Sequence, residues 1–192
     1  FALGDNGQWR LERSFEEPEM VQQAYFGSTV LIHGDYAIMT AAGDLNTTPR
    51  VWATARSNEG RWSALSPIEP PEFHELTARF GEALAMDGRY ALIGAPGTPL
   101  QVNVTHLYEW VDGALIYRQR LVPYDEHNYG ANEFGNAVAM SNGRFLIGMP
   151  GYTGPEQIHV ANFGAAFIFV EEPPICTEDG ACLCIAGAEG PL

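Results

Sequence analysis

The sequence predicts an all-β fold: a β-propeller segment of about three four-stranded antiparallel blades, part of a larger propeller. Three observations lead there. Phe26-Gly27, Phe80-Gly81 and Phe134-Gly135 recur 54 residues apart, and each pair opens a stretch with the same order of apolar and turn residues. Each stretch alternates apolar and small residues and then turns back, as a β-hairpin does. No segment carries an apolar i, i+3, i+4 stripe between helix caps, so helices are expected to be scarce.

The first strand of a copy is illustrated by Leu84 and Met86 alternating with Ala83 and Ala85. Tight turns are expected at Gly34-Asp35, Asp87-Gly88 and Asn142-Gly143, because these residue types tolerate positive φ; the third copy reads as carrying one extra residue, a bulge. The second strand is the run 90–93 and its counterparts. Loops of the Gly-Ala-Pro-Gly type then end it at Gly94 to Gly97 and Gly148 to Gly151. Third strands fall at 51–55, 105–110 and 165–170, all rich in aromatic and β-branched residues. Turns at 58–60 and 112–113 lead to fourth strands at 62–65 and 115–118. Acidic, proline-containing stretches at 16–22, 67–75 and 123–132 join one unit to the next. Four-stranded units repeated at this length are propeller blades.

The blades occupy residues 1–171, and 172–192 form a cysteine-containing tail. Gly7-Gln8-Trp9 aligns with Gly60-Arg61-Trp62, so the chain opens in a fourth-strand pattern, and its last blade stops after a third strand at Val170. Propellers typically have about 4–8 blades, so three do not close a ring. The expectation is that further polypeptide completes the structure, either unseen chain or neighbouring copies whose strands complete one another's blades.

Phe-Gly at the first strand, Ala-Leu-Ile-Gly-Ala-Pro-Gly at 91–97 and Gly-Ala-Ala-Phe-Ile-Phe at 164–169 resemble FG-GAP repeats, the blades of integrin α-subunit heads. The likeness runs from about Trp9 to Val170; the first copy has Thr40-Ala-Ala-Gly43 where the others have Gly-x-Pro-Gly. The kelch double glycine and the WD40 Trp-Asp pair are missing from the matching positions of this sequence. Many members of the resembled family hold calcium in an Asp-x-Asp-x-Asp-Gly hairpin. Here Ile32 to Asp35, Met86 to Arg89 and Met140 to Arg144 offer one carboxylate or none, so no hairpin metal is expected. The tail also resembles the middle of an EGF-like module, on its Cys-x-Cys-x-x-Gly spacing.

A net charge of −14 disfavours nucleic acid and anionic lipid as partners, and no apolar run reaches the ~20 residues of a spanning helix. The sequons at Asn46 and Asn103, together with Cys176, Cys182 and Cys184 as disulfide candidates, point to a secreted or cell-surface location. No catalytic motif is present, no cofactor is implied, and no two histidines have zinc-site spacing, so metal is expected nowhere. The resemblance implies that ligands approach the loops joining blades and the loops after second strands. Candidate contact residues are Tyr124, Asp125, His127, Tyr129, His74 and Tyr152. The expected role is non-catalytic binding, adhesion or structural assembly, with proteins, copies of the chain itself or glycans as partners. The alternatives are an accessory propeller of a larger secreted hydrolase, or a glycan-binding lectin.

Overall fold

The computed structural model describes residues 2–3, 6–22, 24–42, 49–71, 79–97, 103–123, 132–152, 163–170, 175–176 and 182–183. Among them every regular element is a strand, and no helix is long and apolar enough to cross a membrane. A first sheet runs β3 (Phe26–His33), β4 (Tyr36–Ala41), β5 (Arg50–Ala55) and β6 (Ser66–Ile68) in sequence order. The second is β7 (Leu84–Asp87), β8 (Tyr90–Ala95), β9 (Val104–Val111) and β10 (Ala114–Leu121). The third has three described strands, β11 (Ala137–Ser141), β12 (Arg144–Met149) and β13 (Ala165–Val170). Short ladders join β1 (Ala2–Leu3) to β2 (Trp9–Arg10), and β14 (Ile175–Cys176) to β15 (Cys182–Leu183). All pairings are antiparallel, as the expected all-β meanders require.

Several local expectations are corrected. The second hairpin pairs Asp87 with Tyr90, so its turn is Gly88-Arg89, in step with Gly34-Asp35 and Asn142-Gly143. The third hairpin therefore has no extra residue at its turn. Gly34 and Gly88 take positive φ at the first turn position, whereas Asn142 and Gly143 both do, so two turn chemistries satisfy one loop length. Gly94 and Gly148 lie inside second strands rather than in the loops that follow them.

The fourth strands also differ from expectation. In the first sheet the strand begins at Ser66, while Trp62 makes only an isolated bridge to Arg56. Ser63 explains the delay, since its hydroxyl takes the Ala55 N–H at 3.3 Å and its carbonyl accepts from the Thr54 hydroxyl at 3.0 Å, in competition with the ladder. In the second sheet β10 is longer than 115–118 because a register shift between Tyr117 and Gln119 lets pairing continue to Leu121. The extra residue, Arg118, turns its guanidinium to the Glu109 carboxylate, Nε donating at 2.6 Å.

Alternation along the middle strands gives each sheet two apolar faces. Ala91 and Ile93 join Ile38, Val51 and Ala53 in a first joint; Leu92, between them in sequence, joins Phe134, Ile147 and Met149 in a second. Full burial of each large aliphatic side chain there contributes roughly 1.5–3 kcal/mol, so the joints, rather than the sheets alone, hold the stack together.

The recurring Phe-Gly pairs have one geometry. Phe26, Phe80 and Phe134 meet Trp52, His106 and Phe167 edge-on, at 5.5, 5.7 and 5.7 Å between ring centroids. Gly27, Gly81 and Gly135 follow with φ of 85°, 88° and 93°, and Tyr25, Arg79 and Glu133 precede with φ of 53°, 65° and 54°. Three bulky residues thus sit in a backbone region that glycine ordinarily occupies, and the turn they share lets Phe drop onto its sheet. Phe80 and Phe134, each following a larger sheet, are fully covered, whereas Phe26, preceded among the described residues only by the short β1–β2 ladder, is half-buried.

Candidate binding face

Because each sheet is a meander, strand ends sort to two ends of the stack. The hairpin turns at 34–35, 88–89 and 142–143 share one end. The strand ends that lead into 43–48, 72–78, 98–102, 124–131 and 153–162 share the other, the junction end.

At the hairpin end the sheets are tied by a repeated bond. The His33 Nε2 accepts the Gly88 N–H at 3.3 Å, and Asp87 Oδ2 accepts the Asn142 N–H at 2.5 Å. In each case the residue before one turn reaches the first turn residue of the next sheet. The imidazole of His33 must be unprotonated at Nε2 to accept. Sequence reasoning read these hairpins as tight turns and as departures from a calcium loop, and missed the contact; the available signal was a polar side chain, His33, Asp87 or Ser141, before every turn. Nearby, Glu109 is buried, and its two carboxylate oxygens take Arg89 Nε at 2.8 Å and Arg118 Nε at 2.6 Å. That arrangement compensates the charge that the second joint desolvates.

At the junction end the described residues form the base of the face. Arg79 bridges Glu82 at 2.8 Å and Glu133 of the next sheet at 3.2 Å, and these carboxylates hold the guanidinium more firmly protonated than usual. Arg50 pairs with Glu19 at 2.5 Å, and Glu17 takes the Val21 N–H at 2.8 Å. The Tyr108 hydroxyl donates to the Glu69 carbonyl at 3.0 Å, and burial pushes its phenol well above the usual tyrosine range.

Of the sequence-derived contact residues, Tyr152 is described. It is half-buried and packs edge-on to Phe167 at 6.2 Å, while its carbonyl accepts the Phe163 N–H at 2.9 Å. It therefore supports the base of the face through packing. His74, Tyr124, Asp125, His127, Tyr129, Asn46 and Cys184 lie outside the described residues. Asn103, expected in an accessible loop, is 3% exposed immediately before β9. Cys176 stands opposite Cys182 in the β14–β15 register. Among the described residues no three His, Cys, Asp or Glu gather as a metal site requires. No family model and no curated protein matches the chain.

Proposed function

We propose that the chain is a run of propeller blades of the FG-GAP kind, serving outside the cell as a non-catalytic binding and assembly module. The observation that carries this reading is the sheet-to-sheet joint repeated at 54-residue spacing, with the same edge-on Phe contact and the same positive-φ glycine in each copy. Such a stack is a rigid support. Its hairpin end is closed by direct sheet-to-sheet bonds, whereas the strand ends leading into the connecting segments share its junction end, and loops carried on a rigid scaffold are where recognition residues concentrate. Tyr124, Asp125, His127, Tyr129 and His74 belong to those segments, and protein surfaces are the ligand class that a tyrosine-rich, acidic face suits. The sequon at Asn46 and the tail cysteines agree with an extracellular setting.

Beads coated with the purified chain test the reading against intact cells. Adhesion is expected, lost when the cells are first treated with protease, and weakened at least about tenfold by Tyr124→Ala with Tyr129→Ala. Beads that do not adhere, or a chain that turns over ester or glycoside substrates, contradict it.

A further inference from the structure

At the hairpin end the two joints carry the same tie, made with two different acceptors. His33 Nε2 takes the Gly88 N–H at 3.3 Å across the first joint, and Asp87 Oδ2 takes the Asn142 N–H at 2.5 Å across the second. The positions are equivalent, since each acceptor stands immediately before one two-residue turn and each donor is the first residue of the next. Their proton chemistry differs. A carboxylate keeps its charge down to about pH 4, whereas an imidazole ordinarily takes up its second proton near pH 6.5. Once Nε2 carries hydrogen it meets the Gly88 N–H donor to donor, and no bond can form.

Other hydrogen bonds across the first joint do not titrate in this range. The hydroxyls of Thr29 and Thr40 donate to the carbonyls of Glu82 and Gly81, both at 3.1 Å, and the Tyr108 phenol, pushed above the usual tyrosine range, donates to the Glu69 carbonyl at 3.0 Å. The apolar filling of the joint, with Ile38, Val51 and Ile93 at its centre, is equally indifferent to pH. Loss of the His33 bond therefore frees the hairpin tips and leaves the rest of the joint in place.

Charged and titratable groups near the imidazole belong to the same two turns and their partners. On its own hairpin Asp35 lies 4.0 Å from Arg56, and Tyr36, the register partner of His33, packs on Trp110 at 4.6 Å between ring centroids. The second hairpin brings Asp87, engaged by the Asn142 N–H, and Arg89, which pairs with Glu109 at 2.8 Å. An imidazolium drawn toward either aspartate still carries hydrogen on Nε2, so it cannot accept from Gly88.

We infer that His33 is a pH-sensitive latch between the first two sheets, closed on the Gly88 amide above about pH 7 and open below about pH 6, while the Asp87 latch of the second joint stays closed over the same range. Only the neutral imidazole is bonded, so the contribution is present at the higher pH and lost as pH falls through the titration. The latch stands at the opposite end from the junction face and does not rest on the loop-borne binding proposed above.

Amide exchange measured by NMR on the purified chain, each rate taken relative to the intrinsic rate at the same pH, decides it. Between pH 7.5 and pH 5.5 the Gly88 protection factor is expected to fall about threefold to fivefold, the worth of one ordinary hydrogen bond. Its midpoint should coincide with that of the His33 ring, and the Asn142 amide should keep its protection. His33→Gln supplies a carbonyl acceptor that does not titrate and is expected to hold Gly88 protection level across this range; His33→Phe is expected to lower it at both pH values. Unchanged Gly88 protection between the two pH values in the wild type overturns the inference. So does a loss that His33→Gln retains, or an equal loss at Asn142, which would assign the effect to the wider fold, with His106, buried against Phe80 at 5.7 Å, as its source.

Discussion

Tyr108 is almost wholly buried in the first joint, its hydroxyl committed to the Glu69 carbonyl. Because burial raises its phenol above the value in the unfolded chain, near 10, both states keep the proton below that pH. Above it the unfolded chain ionises first, so stability falls as pH rises. Tyr108→Phe is expected to cost about 1 kcal/mol at neutral pH through the lost hydrogen bond and to flatten the decline above about pH 10, read from urea midpoints across pH. Asn103 yields a second expectation at this scale. In a glycosylating host Asn103→Gln is expected to leave the chain's intact mass otherwise unchanged, since Asn103 is 3% exposed in the fold, and any glycan shift should follow Asn46→Gln instead. Burial of this kind is invisible in an Asn-x-Thr triplet, which records composition and not depth.

At the level of elements, strand existence and order were legible from alternation, turn residues and the 54-residue recurrence, since period-2 burial writes itself into residue choice. The boundaries were less so. Asp-Gly is such a strong turn pair that it masked the register putting Asp87 in a strand, where its carboxylate reaches the next sheet's Asn142 N–H. Ser63 delayed the first sheet's fourth strand through a side-chain bond that propensity does not register. The tip contact predicts an asymmetry measurable by chemical denaturation of the monomer. Asp87→Ala is expected to lose about 1 kcal/mol, whereas Ser141→Ala, before the one turn with no following sheet among the described residues, stays within about 0.5 kcal/mol of wild type.

Across the whole molecule, the stack is one joint used repeatedly. Which face of a strand meets which neighbour depends on how sheets stack, so the sequence could show that Gly94 and Gly148 recur but not that one is crowded and the other open. Of the aromatic contact residues expected on the binding face, Tyr124 and Tyr129 lie outside the described segments, and Tyr152 packs edge-on against Phe167. The account rests on the close approach of the second and third sheets, where a Cβ on Gly94 would lie 2.1 Å from the Gly135 carbonyl oxygen, while the nearest atom to a Cβ on Gly148 is the Ala137 Cβ at 3.4 Å. Urea unfolding of Gly94→Ala and Gly148→Ala tests that most directly. Gly94→Ala is expected to lose at least about 3 kcal/mol or fail to fold, since backbone must move to admit the methyl group. Gly148→Ala should be neutral or stabilising by up to about 1 kcal/mol, through a less flexible unfolded chain. Equal losses at the two positions would contradict the repeated joint.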